Sequence, residues 1–261
     1  MAISRIGHGT GVTGTGDISP VYPAGYTALD DDIAIVHLNE TIADTGEYTT
    51  PGGWTKIGTV LNEIGAIDGR SSVYLKKLTA GESLPTWTGD TVDQFVAFSE
   101  IYRGVDPVTP LDVAVVVSQD NNTLTFVPTG LSTVTVGAMV VSSVGVPFNG
   151  GDVNITTPQA FTKGHAAYTT AGSNVTAASA YREVSAPGAV TFPTWEKITF
   201  TGIGQWCHIA FALRPAVDAP PPITTPKSGM NIWTFGSGIP VEPSEDGFGL
   251  LGFGDGPFGG S

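Results

Sequence analysis

The chain has 261 residues, 41% of them hydrophobic and 13% charged, with a formal net charge of −13. That apolar share builds a real core and excludes a chain disordered throughout, and the 11 Lys and Arg form no cluster of the kind that binds nucleic acid or an anionic membrane surface. Cys207 is the only cysteine, which excludes an intramolecular disulfide and a thiolate zinc site.

"MAISRIGHG" carries no apolar run of signal-peptide length, so the expectation is a soluble chain made in a cytoplasm. "GTGVTG" (9–14) matches a Gly-rich nucleotide fingerprint. Only eight residues precede it and no helix follows, so it reads as a Gly/Thr-rich strand or loop. "LDDDI" (29–33) reads as a solvated turn, because three adjacent acids lack calcium-loop spacing. The first clear strand is "IAIVHL" (33–38). In "PGGWTKIG" (51–58) a Pro-Gly turn leads Trp54 into a strand, where its ring can cap a sandwich. "SSVYLKKL" (71–78) has a mixed alternation that suggests an edge or a bend. "QFVAFSEIYRGV" (94–105) follows, and Arg103 and Asp106 flank Gly104 as a salt-bridged corner.

Further strands are expected at "LDVAVVVS" (111–118), "LTFVPT" (124–129), "STVTVGAMVVSSV" (132–144), "AASAYREV" (177–184), "KITFTG" (197–202) and "QWCHIAFALRP" (205–215). "SQDNNT" (118–123) and "NGGDVN" (149–154) are turn-like. In the last strand Cys207, Ile209, Phe211 and Leu213 share one face, which makes the thiol inert core. The fold class is all-β, an antiparallel β-sandwich of jelly-roll type over residues 1–215.

Beyond Pro215 the pattern stops. Residues 216–261 read as an extended Pro-rich linker, with Pro220–Pro222 in polyproline II, and a Gly/Phe-rich docking tail. Trp233, Phe235, Phe248, Leu250, Leu251, Phe253 and Phe258 are its expected partner-docking residues, since a solvated tail needs no such apolar side chains; burial against a partner, or back on the tail's own domain, would account for them. Each aromatic ring offers about 150–250 Å² of contact, while glycine lets the backbone follow a partner's surface.

No catalytic motif stands out. His8, His37, His165 and His208 lack metal-ligand spacing and read as structural or surface residues, and no nucleophile–base signature, metal site or cofactor motif is present.

The ordered set "YPAGYTALDDDIAIVHL", "TPGGWTKIG", "SSVYLKKLTAGES", "FSEIYRGVDPVTPLD" and "HIAFALRPA" resembles a recurrent β-sandwich domain of tailed-bacteriophage virion proteins, over roughly residues 17–216. Asp31 and Asp32 stand where that family has a Gly-Asp turn, and the ending "GFGDGPFGG" is similar to the ends of some phage structural proteins. The resemblance implies a non-enzymatic virion component, made in the host cytoplasm, whose partners are other capsid or tail proteins. Capsid decoration anchored by the C-terminal tail is the first expectation. A tail or fibre component binding host glycans is the alternative, and a glycan-cleaving enzyme comes last. A trimer is expected as well, because strands such as "STVTVGAMVVSSV" would present uncharged outward faces that neighbouring copies could cover.

Overall fold

In a computed structural model the described residues are 1–217, apart from 43–45, 64–67, 90–92, 148–150, 157–159, 170–173 and 199–203. They form strands and no helix. The chain divides into two units, Met1–Asp218 and Ala219–Ser261, of which the second lies outside the described residues.

The first half of the chain supplies β1 (Ser4–His8), β2 (Val12–Thr15), β3 (Ile33–Ile42), β4 (Thr55–Asn62), β5 (Asp68–Lys77) and β6 (Gln94–Arg103). They make one sheet in the order β1-β6-β3-β5-β4, with β2 continuing along β6. The second half supplies β7 (Val116–Thr123), β8 (Thr125–Phe126), β9 (Leu131–Thr133), β10 (Met139–Val146), β11 (Val153–Ile155), β12 (Thr162–Tyr168), β13 (Thr176–Glu183), β14 (Gly188–Val190), β15 (Trp195–Lys197) and β16 (Gly204–Leu213). Its main sheet runs β12-β13-β10-β16-β7, and small ladders β11-β15-β8 and β14-β9 accompany it. Neighbouring strands pair antiparallel throughout.

The two large sheets face each other. Ile35, Val73 and Leu75 of the first meet Val141, Ile209 and Phe211 of the second in a shared core. Each outer face is covered too: Ile18, Tyr48, Trp54 and Trp87 lie over the first sheet, and Phe126, Phe161, Phe192 and Trp195 over the second. This explains the long apolar runs. β3 and β10 are buried at every position, so their sequences need no polar alternation. Trp54 packs edge-on against Trp87 with ring centroids 4.9 Å apart, in the capping role its turn suggests.

The ladders that attach the outer strands β1, β4, β12 and β7 each contain a register shift. The interior ladders of β3 and β10 run without one.

Several local expectations are corrected. "STVTVGAMVVSSV" is not one strand. It breaks into β9 and β10 at a turn where Ala138 N donates to Thr135 O and Gly137 takes φ 77°, a conformation suited to glycine. Because β10 is interior and buried on both faces, it offers no exposed face for another copy. β5 is likewise interior, between β3 and β4. Its mixed alternation reflects two buried faces, with Val73 and Leu75 turned to the inner core and Tyr74 to the outer one. β7 starts only at Val116, and Leu111 touches the sheet through a single bridge to Leu213. Of "KITFTG", Lys197 belongs to β15 while 199–203 lie outside the described residues. The short Gly-containing strands β1 and β12 have too little β-branched character to stand out in the sequence.

The acid triplet is not uniformly solvated. Asp32 is 1% exposed and accepts two bonds from Arg103, at 2.8 Å each. Asp106 does not pair with Arg103. It instead accepts the backbone N–H groups of Val108 and Thr109, at 2.9 and 3.1 Å, because the chain turns there.

Candidate functional site

The densest ionisable cluster sits between the sheets, near the edge formed by β1 and β12. Its centre is Glu100 of β6, 0% exposed. Arg5 of β1 donates to Glu100 Oε1 from Nε and Nη2 at 2.9 and 2.7 Å, and Ser179 of β13 donates to the same oxygen at 2.8 Å. Tyr102 donates to Oε2 at 2.8 Å, and His37 Nε2 lies 3.1 Å from it. The other nitrogen of His37 is 2.8 Å from Ser143 Oγ on β10. Two sheets are thus tied through one carboxylate.

Alternation places these groups. Along β6, Phe95, Ala97 and Ile101 face the outer core, which turns Phe98, Glu100 and Tyr102 inward. Burial alone would raise the Glu100 carboxyl, but bonds and charge from His37, with Arg5 and Ser179, hold it at about 2. The Tyr102 hydroxyl is pushed well above its ordinary value by burial and by the adjacent carboxylate. Arg5 also lies over the Tyr181 ring, 5.0 Å from its centroid. Beside the cluster His8 stacks on His165 with centroids 4.0 Å apart, and burial followed by repulsion from His8 lowers His165 to about 4. Every polar atom of the Glu100 carboxylate is engaged by protein groups, so the arrangement holds strands together and presents no open acid or base to a substrate.

A second group surrounds Glu40 of β3, 1% exposed and 3.3 Å from Arg70 Nη1. Burial pushes its carboxyl up to about 8, against the opposing charge of Arg70 and with the help of Asp93 and Glu47. In the second sheet His208 is fully buried between Ser118 Oγ at 3.2 Å and Ser142 Oγ at 3.0 Å, and burial lowers it to about 3. Cys207 is buried and its thiol pushed up to about 12, which suits an inert core residue. An apolar cavity of about 210 Å³ opens between Ile57, Leu75, Val108 and Leu111. Among the described residues no group of three or more His, Cys, Asp or Glu is placed to hold a metal.

The docking residues expected from the sequence, Trp233, Phe235, Phe248, Leu250, Leu251, Phe253 and Phe258, lie outside the described residues. The Glu100 cluster was not singled out in the sequence, although one signal was there: a glutamate inside the apolar strand "FVAFSEIY". Tyr102 follows it by two residues, but its other partners, Arg5, His37 and Ser179, come from three other strands and share no local spacing.

No protein-family model matches the chain, and neither a curated protein nor a solved structure matches it.

Proposed function

We propose that this chain is a non-enzymatic structural protein of a tailed-bacteriophage particle, displayed on the exterior as capsid decoration and anchored by residues 216–261. One observation carries the reading: the motifs behind the phage resemblance converge on one corner. Tyr26 of "YPAGY" donates to Asp32 of "LDDD" at 2.8 Å, and Asp32 accepts Arg103 of "YRGVD". Val105 then pairs with Pro215 of "ALRPA", and Ala216 N donates to Gly104 O at 2.8 Å. The distinctive residues close a domain, and the ionisable cluster ties its sheets, which suits a protein selected to persist in an assembly. Its partners under this reading are other virion proteins and further copies of itself.

The sandwich expectation is kept in this reading and the jelly-roll type is not. A jelly roll wraps its strands alternately between two sheets, whereas here each large sheet draws on one half of the chain.

Labelling intact particles with antibody against residues 1–215 tests the proposal. Label over the head is expected; label on the tail would move the chain to the tail or fibre reading, and unlabelled particles would overturn both. Purified protein is expected to release no sugar from host capsule or peptidoglycan, and release would favour a glycan-cleaving enzyme. A chain ending at residue 240 is expected to lose occupancy on the particle.

A further inference from the structure

We infer that residues 1–107 and 108–217 are two copies of one folding repeat, and that the inner face of each sheet is an interaction surface whose fitting partner is the other copy.

Strand order is the first observation. With the main strands of each sheet ranked by their place in the chain, β1-β6-β3-β5-β4 reads first, fifth, second, fourth, third. The second sheet, read as β7-β16-β10-β13-β12, gives the same series. Register agrees residue by residue. Ile33 lies opposite Lys77 and Tyr102, while Met139 lies opposite Glu183 and Leu213. The turn entering each central strand is also the same. Leu78 N donates to Asp32 O at 2.8 Å and Val184 N to Ala138 O at 2.9 Å. Asp31 N donates to Leu78 O and Gly137 N to Val184 O, and these two residues share positive φ, 66° and 77°.

Irregularities match as well, and they are harder to explain by a shared architecture alone. β4 shifts register between Lys56 and Gly58, opposite Tyr74 and Val73. β12 shifts between Lys163 and His165, opposite Ala180 and Ser179, the positions that correspond to those two. Each half carries Pro-Thr-Trp, at 85–87 and at 193–195. Trp87 pairs with Ile18 and Trp195 with Phe126, and both indoles are buried over their own sheet.

The packing between the copies has the signature of a two-fold axis, across which equivalent residues meet. His37 and Ser143 occupy matched positions and lie 2.8 Å apart. Asn39 and Gly145 are matched, and a Cβ on Gly145 would come within 2.4 Å of Asn39 Oδ1. The edge formed by β1 and β2 lies against β12, where His8 stacks on His165 and a Cβ on Gly11 would come within 2.3 Å of Ala167 Cβ, and β7, which stands in the place of β2 along its neighbour, lies against β4 at the other edge. The exits of the two copies pair with each other, Asp106 N donating to Arg214 O and Ala216 N to Gly104 O. On the inner faces the chemistry differs. Arg5, Glu100 and Tyr181 correspond to Leu111, Phe211 and Leu75, so the apolar cavity at Leu111 is the counterpart of the space that the Arg5 guanidinium fills.

Cutting the connection in the full chain tests this. A protease site is inserted between Pro107 and Val108, where Val108 is 86% exposed. After complete cleavage the two pieces are expected to co-migrate as a one-to-one complex with unchanged near-UV circular dichroism, and to reassociate when diluted together from denaturant. Pieces that separate under native conditions would overturn the inference. A permuted chain running 108–261 and then 1–107 provides the second arm. Met1 N already lies 3.0 Å from Ala216 O, so the order of the copies is expected not to matter and the same near-UV spectrum should return. A permuted chain that fails to fold, or an insertion variant that fails before cleavage, counts against two matched copies.

Discussion

The two large sheets share strand order and register but bury opposite chemistry. The inner face of the first holds a carboxylate, a guanidinium and an imidazole within hydrogen-bond reach. At the corresponding places the second holds Phe211, Leu111 and Ser143. Backbone pairing and the outer Trp87/Trp195 position are common to both. The inner face tolerates either a satisfied ionic network or a hydrocarbon surface. It does not tolerate half of a network, because a buried charge without its partners is far more costly than either.

The comparison can be broken most directly at what the sheets share. Trp87→Ala and Trp195→Ala should each cost about 3–5 kcal/mol. Denaturant titration should find the two losses similar, and a large disparity would mean the tryptophans do not hold corresponding posts. Glu100→Ala should cost nearly as much, about 3–5 kcal/mol, by leaving Arg5 buried without its carboxylate. The combined change Arg5→Leu, Glu100→Phe and His37→Ser, which writes the second sheet's residues into the first, should cost less than Glu100→Ala alone. If the triple variant is the less stable, the two inner faces are not interchangeable. Arg103→Ala should cost about 1–3 kcal/mol by removing two bonds from buried Asp32, with Tyr26 left as a donor.

At neutral pH the half-buried His165 and the buried His208 carry no penalty, so their effect is the smallest there. Both His165, at about 4, and His208, at about 3, are lowered from 6.5. Their contribution is therefore complete above pH 6.5 and is lost as pH falls through 4 and 3. Glu100 follows the same sign, its contribution fading as pH falls through about 2. Glu40, raised to about 8, has the opposite sign and favours the fold as pH falls toward 4.5, but the two histidines together outweigh it below pH 6.5. Thermal melts from pH 6.5 down to pH 3 should show a falling midpoint, and His165→Phe should flatten the upper part of that slope.

The all-β class was legible because β3, β6 and β16 are long, apolar and rich in β-branched and aromatic residues. The shared face of Cys207, Ile209, Phe211 and Leu213 followed from alternation alone. Interior and edge strands were not separable, because β5 mixes lysines with apolar residues while both its faces are covered in the middle. The break at Gly137 was hidden inside a Thr/Val run whose propensity is continuous. Glu100 was visible as an anomaly, but its partners Arg5, His37 and Ser179 are joined by pairing between distant strands, which no local spacing records. The same holds for the repeat: apart from Pro-Thr-Trp it lives in register and turn geometry, while the side chains have diverged.

The register shifts in the outer ladders have a consequence for growth. A strand that skips a residue twists away from its neighbour and leaves its free side out of step with any straight strand laid beside it. Lys56 and Lys163 stand at two of these skips, ion-paired to Glu47 and Asp152, and put polar side chains where a docking strand would have to pass. The sheets are thereby capped sideways. Edge-to-edge addition of further copies is disfavoured at these strands.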